Sequence, residues 1–126
     1  MSKEIVKSLY APAAVGPYSQ AVKTGSFLFC SGQLGLDASS GQLAAGGVEP
    51  EARQALANLD AVLRAAGLTR DAVVKTTVFM TDLKDFAKMN AVYADFFKTA
   101  YPARSTIQVA ALPKGACVEI EAVAQF

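Results

Sequence analysis

Two segments, Val73-Val74-Lys75-Thr76-Thr77-Val78-Phe79-Met80 and Phe27-Leu28-Phe29-Cys30, constrain the fold of this chain most tightly. In an extended conformation successive side chains point to opposite faces, so both segments put apolar groups on both sides of any sheet they join. Each face then needs a cover. Only two stretches have the helical periodicity to provide one. Residues 51–66 carry Leu56, Leu59 and Leu63 on one stripe, entered through Pro50 and ended at Gly67. Residues 83–99 repeat the pattern with Phe86, Met89, Tyr93, Phe96 and Phe97, opened by an Asp82 cap and stopped at Tyr101-Pro102.

Period-two or unbroken apolar stretches at residues 3–8, 20–24, 26–31, 73–80, 105–110 and 117–125 predict six strands. Thr24-Gly25-Ser26 has the chemistry of a tight hairpin turn. The order is three strands, helix, strand, helix, two strands, which predicts an α+β fold: a mixed six-stranded sheet with both helices on one face. The uncovered face would expose more apolar surface than monomers usually carry, so self-association through it is expected. Residues 41–47 read as a short connecting loop. No linker, repeat or low-complexity tract divides the chain, and residues 1–126 read as a single domain.

Composition narrows the chemistry. The chain has 126 residues and is 52% apolar, too high a fraction for a disordered chain. Its 12 Lys and Arg against 11 Asp and Glu leave a net charge of +1 with no basic run, so no electrostatic footprint for nucleic acid is expected. There is no His, which excludes Ser-His-Asp triads, Cys-His dyads and His-ligated zinc. Cys30 and Cys117 lack Cys-x-x-Cys spacing and read as reduced, buried, inert thiols, so no metal site is expected. No apolar run approaches the roughly 20 residues of a membrane span, so no membrane partner is expected. The charged start, with Glu4, fits neither a secretory nor a transit peptide, which points to the cytoplasm, or to the mitochondrial matrix in a eukaryote.

Several polar residues sit where chemistry could happen. In Ala103-Arg104-Ser105-Thr106, alternation puts Arg104 and Thr106 on one face. A guanidinium fork there suits the carboxylate of a small organic acid, and equally suits a neighbouring acidic side chain at the rim. Glu119 and Glu121 share a face of the last strand, either as a solvated surface or as carboxylates whose pKa rises in a poorly hydrated cleft. Tyr18 follows a Gly16-Pro17 turn, Ser31-Gly32-Gln33 ends the third strand in a turn-like sequence, and Asn90 lies within the second helix, where a solvated position is the simplest reading.

Gly16-Pro17-Tyr18-Ser19-Gln20-Ala21, Ser31-Gly32-Gln33, Val74-Lys75-Thr76-Thr77-Val78, Pro102-Ala103-Arg104-Ser105, Ala111-Leu112-Pro113-Lys114-Gly115 and Val118-Glu119-Ile120-Glu121-Ala122, in that order, resemble the reactive intermediate deaminase (Rid) family in its RidA branch. The resemblance runs from about residue 10 to the C-terminus. It implies a chorismate-mutase-like fold and a homotrimer with clefts between subunits. It also implies cofactor-free hydrolysis of 2-imino and 2-enamino acids, such as 2-aminoacrylate and 2-iminobutanoate, to 2-keto acids and ammonia. Such species are released by pyridoxal-phosphate dehydratases, and the cofactor belongs to those upstream enzymes.

By the same resemblance Arg104 is the carboxylate clamp, Glu119 the acid that positions or activates water, and Tyr18, Ser31 and Asn90 line the pocket. Many members carry Cys where this chain has Thr106, whose hydroxyl still donates or accepts a hydrogen bond. Three other functions stand beside the deaminase. A ribonuclease or translation inhibitor is disfavoured by the missing His and by the absence of a basic, aromatic strand platform. A holdase-type chaperone needs only exposable apolar surface. A ligand sensor would use the same clamp without turnover.

Overall fold

The computed structural model describes residues 2–126. Six strands, β1 (Glu4–Val6), β2 (Ala21–Thr24), β3 (Phe27–Leu34), β4 (Val73–Met80), β5 (Ala103–Gln108) and β6 (Val118–Gln125), form one mixed sheet in the order β1-β2-β3-β6-β4-β5. Helix α1 (Val48–Ala65) links β3 to β4, and helix α2 (Phe86–Phe97) links β4 to β5. Among the described residues β4 and β5 are the one parallel pair, which a hairpin cannot connect and a helical crossover can. The α+β architecture predicted from the strand and helix order is the one observed.

All six strands fall where alternation predicts them, with shifted ends. Strand β3 runs on to Leu34 because Ser31-Gly32 is not a terminal turn. It is a bulge, opposed by Glu121 between the Cys30–Ala122 and Gln33–Ile120 pairs. Strand β5 begins at Ala103, since its parallel pairing with β4 already starts at Lys75. Helix α1 starts at Val48, and Pro50 occupies its first turn, where a missing N–H costs nothing. It stops as predicted at Gly67, whose φ of 79° lets the Gly67 and Leu68 N–H groups close back onto Arg64 and Leu63 carbonyls. Asp82 does cap, but the turn it caps is the 3₁₀ turn Leu83–Asp85, and the α-helix proper follows at Phe86.

Both helices lie on one face of the sheet. Leu56, Leu59 and Leu63 of α1 and Met89, Tyr93 and Phe97 of α2 are buried with Leu28, Val78, Met80, Val118, Ile120, Ala122 and Ala124 of the sheet. The opposite face is uncovered in the single chain. Register aligns Val22, Phe29, Val123 and Lys75 across it, then Glu121, Thr77 and Ser105, then Glu119, Phe79 and Ile107. Phe29 and Ile107 are 48% and 45% exposed there, so the apolar groups expected on both faces are present. No helix among the described residues is long and apolar enough to cross a membrane.

A buried asparagine ties α1 to the segment leaving β3. Asn58 donates from Nδ2 to the Leu34 and Leu36 carbonyls at 3.0 and 2.8 Å, and its Oδ1 accepts from Gln54 at 2.9 Å. Asn58→Ala strands two part-buried carbonyls that the amide satisfies. We expect a loss of about 2–3 kcal/mol in urea unfolding, and a change under about 0.5 kcal/mol would refute this role.

Candidate active site

The six residues singled out by sequence fall into two groups on opposite faces of the sheet. Tyr18, Ser31 and Glu119 line one cleft of about 740 Å³ on the uncovered side, with Glu121, Gly32 and Lys114. The Ser31 hydroxyl donates to the Ser19 carbonyl at 2.6 Å, and its N–H donates to the Gln20 carbonyl at 2.9 Å. The opposite wall is the loop carrying Pro12, Ala13 and Val15. Gln20 holds that loop in place. Its buried amide accepts from the Ser8 N–H at 2.7 Å and donates to the Pro12 carbonyl at 2.8 Å. Alternation predicts Gln20 at the start of a strand and gives no sign of this role.

The bulge in β3 makes room for the acid. A Cβ built on Gly32 would come within 2.8 Å of the Glu119 carboxyl carbon, so any larger residue would push the carboxylate aside. Glu119 is half-buried, and burial raises its pKa above the usual 4.5, with the Glu121 charge adding to the shift. The solvated reading fits Glu121, which is exposed, and fails for Glu119.

Arg104, Thr106 and Asn90 belong to the other face. Arg104 pairs with Thr76 and Thr106 with Val78, both buried beneath the helices. The Arg104 guanidinium carbon sits 4.7 Å from the centre of the Tyr93 ring and 5.5 Å from that of Phe86. The rim-acid alternative fails: among the described residues the only ion pair within 4.0 Å is Arg64–Asp60, and Arg104 has no acidic partner. Asn90 lies on the α2 face that also bears Phe86 and Tyr93, and its Oδ1 is buried without a hydrogen-bond partner among the described residues. The solvated position expected for Asn90 is therefore incorrect, because its amide oxygen faces inward.

The cysteines also depart in part from expectation. Cys30 is buried, and burial pushes its thiol pKa up to about 12. Cys117 is only partly buried, and its thiol and N–H both donate to the buried Glu51 carboxylate at 2.9 and 2.8 Å. Burial and that carboxylate raise its pKa to about 11, so neither thiol is a ready nucleophile at neutral pH.

Comparisons with known proteins match the chain over nearly its whole length. Residues 8–126 match the family model described as Endoribonuclease L-PSP. Mouse and human proteins named 2-iminobutanoate/2-iminopropanoate deaminase are each 52% identical to this chain over 122 residues, 97% of its length and 90% and 89% of theirs. Among solved structures, E. coli TdcF with bound serine superposes with a TM-score of 0.94 at 45% identity, covering 98% of each chain. RidA from an Antarctic Psychrobacter gives 0.94 at 46% identity over 98% of this chain and 99% of that one.

A carboxyl NMR titration should find Glu119 above 4.5, and Glu121→Gln should lower it only part of the way, since burial is the larger cause. Because the folded pKa is raised, Glu119 costs no stability below the unfolded value, and its penalty grows as pH rises from the unfolded value to the folded one and is constant above it. Glu119→Gln therefore gains stability relative to the parent as pH rises through that window. A Glu119 titrating at or below 4.5 would contradict the burial assigned to it.

Proposed function

This chain belongs to the Endoribonuclease L-PSP family, the Rid proteins, and from that membership we propose that it is a 2-iminobutanoate/2-iminopropanoate deaminase. It hydrolyses reactive 2-imino and 2-enamino acids to 2-keto acids and ammonia, with no cofactor, in a homotrimer. The observation that carries the reading is a partly buried guanidinium with no acidic partner, Arg104, on the opposite sheet face from a half-buried carboxylate of raised pKa, Glu119. A partly buried cation with no anion beside it suits the binding of one. The serine bound by TdcF is an amino acid of similar size to these substrates and also carries a carboxylate.

Arg104 and Glu119 cannot meet on one small substrate within a single chain, since the sheet lies between them. Two chains can bring them together. Docking the uncovered apolar face of one chain against the Arg104 edge of the next forms a ring in which each cleft takes Arg104, Thr106 and Asn90 from one subunit and Tyr18, Ser31 and Glu119 from its neighbour. The same contact hides Phe29 and Ile107 from water.

The reaction asks little of the protein. The imine carbon is electrophilic, and more so once its nitrogen is protonated. Arg104 grips the carboxylate through two N–H groups and aims the imine carbon at a water beside Glu119. The water oxygen bonds to carbon as the C=N π pair moves to nitrogen. Glu119 accepts the water's proton and returns it to nitrogen, and the resulting carbinolamine loses ammonia to leave the keto acid. A carboxylate of raised pKa suits this shuttle near neutral pH, and the Thr106 hydroxyl offers a further hydrogen bond to the substrate. RNA cleavage by general acid-base catalysis has no His to draw on in this chain. A holdase would work through the apolar face and would not need Arg104.

Arg104→Ala should remove imine hydrolysis and leave the trimer intact, at three times the 13.2 kDa chain mass in sedimentation. The lost charged hydrogen bonds are worth about 1.5–3 kcal/mol, or about 10- to 150-fold, before misalignment adds to the loss. Arg104→Lys should also be poor, since an ammonium cannot reproduce the planar fork. The readout is keto-acid release when a threonine or serine dehydratase generates the imine, beside protection of an unfolded client by the same variants. Undiminished deamination in Arg104→Ala, or a stable monomeric parent, would overturn the proposal.

A further inference from the structure

We propose that Tyr93 is a positioning residue for Arg104, its ring holding the guanidinium in place and its hydroxyl locked by Thr76. The inference rests on reading Arg104 as the carboxylate clamp and adds how that clamp is kept both rigid and empty.

The geometry closes a loop of contacts. Thr76 is wholly buried in β4 and is the register partner of Arg104 in β5, which fixes where the Arg104 Cα stands. The Thr76 Oγ1 and the Tyr93 hydroxyl share a buried hydrogen bond at 2.7 Å, which fixes the tyrosine from α2. The Tyr93 ring lies 4.7 Å from the Arg104 guanidinium carbon, so β4, α2 and β5 are joined through three side chains. Phe97 packs against the Tyr93 ring at 4.7 Å between centroids and limits its tilt. The Phe86 ring is a second, more distant aromatic neighbour at 5.5 Å, and no described residue grips the guanidinium by an ion pair.

The choice of a ring rather than an acid has a chemical consequence. A carboxylate would hold Arg104 equally well, but it would neutralise the charge and occupy the N–H groups that a substrate must use. An aromatic face attracts the cation through its quadrupole and leaves the in-plane N–H fork open. The hydroxyl gives the ring a fixed place that Phe would hold by packing alone. Most of the ordering cost of the arginine side chain is then met before substrate arrives.

The test compares the parent with Tyr93→Phe, Tyr93→Leu, Arg104→Ala and the Tyr93→Leu/Arg104→Ala double variant, all as assembled proteins. In the coupled imine assay Tyr93→Leu should raise KM by about 2- to 30-fold with kcat moving less, and Tyr93→Phe, which keeps the ring, should recover most of that loss. On the residual rate that Arg104→Ala leaves at high enzyme concentration, Tyr93→Leu should cost nothing more, since its effect passes through Arg104. A NMR order parameter for the Arg104 Nε–H should be near the rigid value of about 0.85 in the parent and fall in Tyr93→Leu. The parent measurement needs no variant to fold, so a mobile Arg104 there refutes the inference outright. Unchanged KM in Tyr93→Leu, or losses that multiply in the double variant, refutes it while leaving the clamp standing if Arg104→Ala alone is impaired. An unimpaired Arg104→Ala refutes the clamp and the inference with it.

Discussion

Strand β6 comes last in sequence and sits between β3 and β4 in the middle of the sheet, and its strict alternation is the constraint on which the rest depends. Val118, Ile120, Ala122 and Ala124 go under the helices and are all but excluded from water. That burial leaves Glu119 and Glu121 no choice of face. A slip of one residue would bury both carboxylates and expose the apolar set, so register is enforced by the hydrophobic term and the position of the acid follows from it. The bulge at Ser31-Gly32 then adjusts the neighbouring strand locally, and a residue without a Cβ leaves the space that the Glu119 carboxylate occupies.

The same sheet separates the two charges that the proposed chemistry needs. Arg104 shares its face with Thr76 and Ala122, and Glu119 shares the other with Phe79 and Ile107. In the proposed mechanism a folded single chain therefore has an anion receptor with nothing to deliver to and a proton carrier with nothing to hold. In the proposed ring one contact covers the open apolar face and completes the cleft together, so assembly and activity rest on the same surface. The link also suits a pocket for short-lived substrates, since a cleft walled by two chains excludes water more fully than an open groove.

Much of the fold is legible in the sequence because alternation and helical stripes are local signals. All six strands, the Leu56-Leu59-Leu63 stripe and the Gly67 stop can be read that way. The misplacements share one cause, a local motif serving a tertiary purpose. Ser31-Gly32 has turn chemistry, yet it is a bulge within β3 because Glu119 lies over the glycine. Asp82 is a sound cap, but for a 3₁₀ turn. Helix α1 opens from Gly47 with no side-chain cap, so Pro50 marks its first turn without fixing its first residue. At the site, alternation groups Arg104 with Thr106 and Glu119 with Glu121, but cannot say which group the helices cover. Nor does it show that Arg104 lacks an acid, that Asn90 turns its amide inward, or that Gln20 and Asn58 hold the loops beside the cleft, because those facts depend on residues distant in sequence.

The central claim is that Arg104 of one chain works with Glu119 of another. Mixing subunits of Arg104→Ala with subunits of Glu119→Gln tests it most directly, with reassorted assemblies confirmed by native mass spectrometry. Each variant alone should be inactive. If the cleft spans two subunits, some sites in mixed trimers regain both residues, and random reassortment of an equal mixture should restore about a quarter of the parent's imine hydrolysis. Mixed trimers that form and show no recovered activity would contradict the account.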